Sequence, residues 1–203
     1  MMSSSREITR ADILPMEEYG KVRAAKRREA IEMKKPRRVP VGPDATFYFE
    51  NYATMWAQVH EMLWIERGGE EQIADELSAY NPLIPQGREL VATLMFEIDD
   101  PVRREALLRK LTHVETMVSL RIGDMVVTAA PTDDDHVERT KADGKTSSIH
   151  FLRFAMTGEQ VAAFRSGQGE VMLAISHPEY GHMAVLSPAT RAALAGDLTA
   201  DDA

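Results

Sequence analysis

Tight turns separate short strand-like runs from amphipathic segments along this sequence. Gly-Pro-Asp at 42–44, Gly-Asp at 123–124 and Pro-Glu-Tyr-Gly at 178–181 each lie between two such runs, which is typical of hairpins. Helical patterns occupy the segments between the hairpins, at about 15–34, 52–67, 70–79, 100–114, 157–167 and 187–198. The predicted elements do not follow a repeating strand–helix–strand order, which a parallel sheet would require. The order therefore predicts an α+β fold, a largely antiparallel sheet with packed helices and an N-terminal helical arm.

The predicted boundaries divide the chain into three parts. Residues 1–36 form the helical arm, which ends at Pro36 because the residue before proline avoids the helical conformation. Residues 37–198 form the α+β domain, and residues 199–203 a disordered tail. Within 203 residues the sequence has no cysteine, no apolar run of about 18 residues and no secretory signal pattern. We therefore expect a cytoplasmic protein without thiolate or iron–sulfur ligands of its own.

Positive charge is concentrated in residues 21–38, which carry nine Lys and Arg against two Glu, whereas the whole chain has a net charge of −8. One interpretation is a solvated helix face that offsets acidic surface elsewhere, and it is the favoured one. The segment could instead bind phosphates or an acidic partner. Binding of nucleic acid is a further alternative, and it is less favoured because no aromatic residue that could stack on bases lies among the basic residues. The binding candidates here are Lys26, Arg27, Arg28, Lys34 and Lys35.

A histidine lies between the two tryptophans of the chain. Trp56, His60 and Trp64 are spaced by four residues and form one row on a helix that is apolar around most of its circumference. His60 is predicted to be buried and neutral, either as a core residue bonded to backbone or as a ligand or proton carrier. Glu66 falls in the same apolar arc. It needs a cation or a metal there, unless the helix end carries it into solvent.

Three further histidines are candidate ligands for a divalent metal ion. His177 and His182 flank the turn at 178–181, which also contains Glu179. His150 shares a strand face with Leu152 and Phe154, while Arg153 lies on the opposite face. A metal site would join His60 or Glu66 to His150, His177 or His182. The alternative is that no metal binds: the residues at 177–182 then belong to a solvent-exposed turn, and His150 is a structural residue of its strand.

A long polar loop, PTDDDHVERTKADGKTSS, extends from residue 131 to 148, and loops of this length are often functional. Its Lys145 is a binding candidate, as is Arg153. The sequence DGKTSS lacks the spacing of a phosphate loop and precedes a strand, so nucleotide binding by that route is rejected. The G-x-S-x-G, G-x-G-x-x-G and zinc-finger patterns are also missing.

Several longer motifs occur together: MKKPRRVPVG, QVHEMLWIER, YNPLIP, RTKADGKTSSIHFLRF and SHPEY. With them the chain resembles the bacterial family catalogued as domain of unknown function 3501, from about residue 8 to 198. That family has no established activity or assigned catalytic residues. The resemblance implies a redox or peroxide-stress context, because members are often encoded near rubrerythrin-like and iron–sulfur oxidoreductase proteins.

Three functions follow as expectations. The first is a non-enzymatic binding or accessory protein that recruits a redox partner through the basic arm and the long loop. The second is a metal-dependent enzyme built on the histidine and carboxylate candidates. The third is nucleic-acid binding through residues 21–38.

Overall fold

The computed structural model describes residues 6–132, 140–141 and 143–199. Its helices are α1 (Met16–Lys34), α2 (Tyr52–Glu66), α3 (Gly69–Tyr80), α4 (Pro101–Lys110), α5 (Gly158–Arg165) and α6 (Pro188–Ala195). Its strands are β1 (Arg38–Val41), β2 (Ala45–Phe49), β3 (Glu89–Phe96), β4 (Val118–Ile122), β5 (Met125–Thr128), β6 (Ala130–Pro131), β7 (Ile149–Ala155), β8 (Val171–His177) and β9 (Tyr180–Val185). The predicted tail begins at Thr199, and the rest of it lies outside the described residues.

The strands form two antiparallel sheets. Sheet A has the order β1-β2-β3-β7-β6, and sheet B has the order β5-β4-β8-β9. The three predicted turns close the hairpins β1–β2, β4–β5 and β8–β9. Gly42 and Gly123 adopt φ angles of 72° and 57°, which explains glycine in two of those turns. The α+β fold with antiparallel pairing is confirmed.

The main core lies between the two sheets. Alternate residues of the strands point into it, and aromatic and branched side chains from both sheets meet there, including Phe47, Phe154, Leu120 and Leu173. Helices α4, α5 and α6 contribute Leu108, Phe164 and Leu194 to the same cluster. One continuous core therefore holds both sheets and three helices together.

A second apolar cluster covers the other face of sheet A. Val59 and Leu63 of α2 pack there with Val91 of β3. Helix α2 also lies against α1 and α3. Only Ala53, Ile65 and Glu66 of α2 are exposed, and Ile65 is 65% exposed. Sheet A and the two neighbouring helices thus leave most of the circumference of α2 buried or half-buried.

None of the helices in the described part of the chain combines the length and the hydropathy that a membrane crossing requires.

Candidate functional site

His60 is bonded through both ring nitrogens. Nδ1 lies 2.8 Å from the Trp56 carbonyl oxygen one turn earlier, and Nε2 accepts the backbone N–H of Leu14 at 3.1 Å. The ring is thus neutral with its proton on Nδ1, and burial lowers its pKa below 6.5. Neither nitrogen has a lone pair left for a metal ion. The geometry supports the structural interpretation of this histidine.

The two tryptophans complete that arrangement. Trp56 stacks on His60 with ring centroids 3.8 Å apart, and its indole N–H donates to the Asp12 carbonyl at 2.9 Å. The ring of Tyr19 lies 4.8 Å from His60. The row on α2 therefore fastens the segment that precedes α1, which explains why a histidine stands between indoles on an apolar helix.

Glu66 does not join this cluster. It is exposed and accepts a hydrogen bond from Gln72 at 2.9 Å. Helix α2 ends at Glu66, and Arg67 takes a left-handed conformation with φ of 58°. Of the two alternatives for Glu66, the structure therefore shows the one in which the helix end carries it into solvent.

Glu61 holds α1 and α2 together through its carboxylate. Its carboxylate accepts hydrogen bonds from Tyr19 and from both Nε and Nη2 of Arg23, each at 2.8 Å. The Arg27 guanidinium lies 3.7 Å away. The hydrogen bonds from Arg23 lower the pKa of Glu61, whereas burial raises the pKa of Tyr19.

Most charges of the basic segment are paired within the fold. Lys26 and Lys35 bind Glu29 and Glu32 on the same stretch of chain. Arg37 pairs with Asp197, and Arg38 with Glu97. Arg28 and Lys34 form no ion pair among the described residues. These contacts fit the interpretation of the segment as a charged face that offsets acidic residues.

The candidates near the β8–β9 turn have structural contacts. His177 accepts the Glu179 backbone N–H at Nδ1 and lies 3.3 Å from the Thr112 carbonyl at Nε2. His182 packs on Tyr180, with centroids 4.5 Å apart. Glu179 instead lies 3.8 Å from Lys110. Within the described ranges no three His, Asp or Glu side chains are arranged to hold a metal ion.

Arg153 is fixed on the outer face of sheet A. Its guanidinium donates to Glu89 and, at 3.0 Å, to the Pro82 carbonyl. These contacts tie β7 to β3 and to the segment that precedes it, so the side chain braces the fold.

A basic pocket with a volume of about 370 Å³ lies between α4 and the segment 145–148, with Lys141 also at its wall. Two of its cations, Arg104 and Lys145, are half-buried, and the Thr146 side chain is buried. The lining residues are Arg104, Leu108, Lys141, Lys145, Thr146, Ser147 and Ser148. Three cations and three hydroxyls thus face one concave space.

Local contacts hold this segment in place. Gly144, with φ of 83°, forms a turn after Asp143, which accepts a hydrogen bond from Arg109 at 2.9 Å. The Thr146 backbone N–H donates to the Leu108 carbonyl at 3.1 Å. The Thr112 hydroxyl donates to the Gly144 carbonyl at 2.7 Å. Lys145 also donates to Glu105 on α4. The pocket is therefore formed in the folded chain before any ligand binds.

An imidazole–carboxylate pair lies behind the hydroxyl wall of the pocket. His150 is buried, and its Nε2 lies 2.9 Å from the Ser147 carbonyl and 3.4 Å from the Thr146 hydroxyl. Its Nδ1 lies 3.7 Å from Oε2 of Glu115, while Nδ1 of His113 lies 3.6 Å from Oε1. The two rings approach different carboxylate oxygens, so this group does not converge on one point.

Sequence analysis missed Glu115 and Arg104. Glu115 lies in a short 3₁₀ turn far from His150 along the chain, and Arg104 resembles any exposed helix residue. The remaining polar loop, 133–139 with residue 142, lies outside the described residues.

Comparison with known proteins gives the family. A sequence model for a protein family of unknown function, DUF3501, matches residues 7–198. The chain belongs to the DUF3501 family. Its fold is similar to a solved structure, a novel protein of unknown function from Burkholderia pseudomallei K96243 at 1.90 Å resolution. The two share 38% identity with a TM-score of 0.86, over 95% of this chain and 99% of that one. No curated protein matches significantly. The expected resemblance to DUF3501 is confirmed.

Proposed function

We propose that this DUF3501 chain is a non-enzymatic binding protein that holds an anionic group in the basic pocket. The observation that carries the proposal is the convergence of Arg104, Lys141 and Lys145 on a preformed cavity with three hydroxyl donors. Charge-assisted hydrogen bonds are the strong ones, and arginine and lysine at one concave point favour phosphate or carboxylate.

The contacts of Lys145 suit such a role. Its ammonium donates to Glu105 from a half-buried position, so the side chain is held in one place. An ammonium has three donors and keeps others for a ligand. The buried Thr146 hydroxyl and its neighbours supply neutral donors beside the charge. Because these groups are already held in place, little conformational entropy is lost when a ligand binds, and the affinity is reduced only slightly by it.

The other expected functions draw less support from the geometry. His60 and His177 use both ring nitrogens, which removes them as ligands for a metal-dependent enzyme. The basic arm, proposed for partners or nucleic acid, has most of its charges paired. Recruitment of a rubrerythrin-like or iron–sulfur protein in a redox context stays a prediction. Such a partner would present its acidic surface to the pocket.

Calorimetric titration with inorganic phosphate tests the proposal. We expect saturable binding at low ionic strength that weakens as salt screens the charges. Replacing Lys141 and Lys145 by alanine should weaken it by about tenfold or more, since hydrogen bonds to charged groups contribute about 1.5–3 kcal/mol each.

Lys110→Ala is the matched control, because Lys110 lies on α4 without lining the pocket. It should bind phosphate as the unmodified chain does. Absence of binding at low salt, or equal losses in the control and the double variant, would contradict the proposal. The same titration with a polyglutamate peptide distinguishes a carboxylate-bearing protein partner from a phosphate ligand.

A further inference from the structure

The hydroxyl wall of the basic pocket is in contact with a buried imidazole. Thr146 and Ser147 line the pocket, and both also lie against the ring of His150. That ring is buried, at 1% exposure. A single layer of residues therefore separates His150 from a ligand in the pocket.

The contacts of the His150 ring define where a proton can be added. Nε2 lies 2.9 Å from the Ser147 carbonyl oxygen, which can only accept a hydrogen bond, so Nε2 carries a proton in the folded chain. The neutral ring then has its lone pair on Nδ1, which lies 3.7 Å from Oε2 of Glu115. A lone pair and a carboxylate oxygen repel each other, whereas a proton added at Nδ1 turns this contact into an ion pair.

Glu115 presents a buried carboxylate oxygen to this nitrogen. Its side chain is 9% exposed, and Oε2 accepts no hydrogen bond from the part of the chain that the structure describes. A buried charge is normally paired, because leaving it without a partner costs free energy. The direction of Oε2 towards the imidazole therefore indicates a place that holds a proton.

Two other histidines lie near the 3₁₀ turn Val114–Met117 that carries Glu115. His113, whose side chain is 65% exposed, places Nδ1 3.6 Å from Oε1 of Glu115. Strand β8 packs on the same turn and ends at His177, whose ring nitrogens both contact backbone groups. A second proton on His177 would break its bond from the Glu179 N–H. His113 is therefore the neighbour whose titration must be separated from that of the pair.

The groups on the remaining sides of the pair do not titrate near neutral pH. From sheet A, Leu94 lies opposite His150 in the register, and the Phe96 ring lies 6.2 Å from the imidazole. From the pocket side, the described charges are those of Arg104, Lys141 and Lys145, together with Glu105, to which Lys145 donates. The lysines and the arginine keep their protons, and the carboxylate stays ionised, at neutral pH.

We propose that the pocket takes up a proton when it binds an anion, and that His150 and Glu115 hold this proton between them. The inference rests on the anion-binding function proposed above. Without the proton the pair carries one negative charge, which repels an anion across the wall. With a proton from solvent on Nδ1, the two charges cancel and the anion binds more tightly. By linkage, a bound anion strengthens proton binding by the same factor.

Calorimetric titration with sulfate on the full chain tests the linkage. Sulfate is the probe because it keeps both charges over the range in which histidine titrates, whereas phosphate takes up a proton itself. We expect affinity to fall about fivefold or more from about pH 6 to about pH 8, as for other coupled sites. Titrations in two buffers of different ionisation enthalpy should show uptake of up to about one proton per sulfate.

Glu115→Gln gives the pair the charge that it has when protonated. This variant should bind sulfate at about pH 8 as tightly as the unmodified chain does at about pH 6, and its affinity should no longer depend on pH. His113→Asn is the matched control, because asparagine tolerates the left-handed backbone of this residue, with φ of 58°. It should keep the pH dependence of the unmodified chain.

Equal affinity at both pH values without proton uptake in the unmodified chain overturns the inference and leaves the proposed function standing. A pH dependence that Glu115→Gln retains and His113→Asn removes also overturns it, because the proton then belongs to His113. Absence of sulfate binding at either pH overturns it as well, and the phosphate titration then decides the proposed function separately. The buffer comparison needs no variant, so it decides the case even if Glu115→Gln fails to fold.

Discussion

Protonation of His60 would break one of its two hydrogen bonds. Nε2 accepts the Leu14 N–H, so an added proton would place two donors against each other. The surrounding rings also offer little solvation to a positive charge. Both effects favour the neutral form in the folded state, which agrees with the lowered pKa that burial causes.

Folding should accordingly lose stability in mild acid through this residue. The unfolded chain binds the proton first, near the ordinary pKa of 6.5, while folded His60 resists it. The contribution is complete above about pH 6.5 and declines as the pH falls from 6.5 towards the lower folded pKa, by at most about 1.4 kcal/mol per pH unit. Urea unfolding monitored by tryptophan fluorescence across this range measures it.

The variant His60→Gln separates this effect from the titration of other groups. It should cost about 2 kcal/mol at neutral pH, because the donor to Trp56 or the acceptor for Leu14 is misplaced. Its stability should also change less between pH 6.5 and 5 than that of the unmodified chain. An unchanged pH dependence in the variant would show that His60 is not the titrating group.

Residue-level chemistry was predictable only where the partners lie close in sequence. The four-residue spacing placed Trp56, His60 and Trp64 in one row, and it indicated a buried, neutral imidazole. The acceptor role towards Leu14 was not predictable, because 46 residues separate the two. The same holds for Glu115 and His150, which only the packing of two distant segments brings together.

At the level of elements, helices α1 and α2 approach closely at Gly20. A Cβ atom at this position would lie 2.8 Å from Cη2 and Cζ3 of Trp64. The indole has little room to retreat, since the guanidinium groups of Arg67 and Arg23 lie 4.3 and 5.3 Å from its ring. Glycine inside a helix costs about 1 kcal/mol relative to alanine, and the close packing offsets that cost.

Enlarging Gly20 should force the two helices apart. We expect Gly20→Leu to lower the free energy of unfolding by about 2 kcal/mol, since overpacking of this kind costs about 1–3 kcal/mol. Ala25→Leu, on the exposed face of the same helix, should change it by less than about 0.5 kcal/mol. Equal stability of the two variants, measured by urea unfolding, would mean that α1 does not press on Trp64.

Hydrophobic periodicity and turn residues were sufficient to predict every α-helix of the described chain and all three hairpins. The order of strands in the sheets was not predictable, because β3 pairs with β7 across a large separation in sequence. The elements that pack against each helix were likewise not predictable from the sequence. A helical pattern at 15–34 was predictable, but it did not indicate that Tyr19 is the one fully buried residue of α1.

At the scale of the whole molecule, a buried ion pair connects the two ends of the fold. Arg37 follows α1 and donates to both oxygens of Asp197 at 2.7 and 2.9 Å. The side chains are 8% and 10% exposed. The guanidinium also donates to the Ala193 carbonyl at 3.2 Å. Water cannot replace either partner without opening the contact between α6 and the start of β1.

Removing the carboxylate would leave a buried, uncompensated cation. We expect Asp197→Ala to lower the free energy of unfolding by about 3–5 kcal/mol. Glu32→Ala, which breaks the exposed pair with Lys35, should change it by no more than about 1 kcal/mol. Guanidinium denaturation compares the two. A small loss in both variants would show that Arg37 finds other partners.

Arg6 and Thr199 meet at the same glycine. Their side chains would lie within 2.7 Å of a Cβ atom on Gly87, and the Thr199 N–H donates to the Gly87 carbonyl at 2.9 Å. The first and last residues of the described chain are thus neighbours in space. A short flexible linker could join them, and new termini could be opened at the Gly123-Asp124 turn, which makes this fold a good candidate for circular permutation.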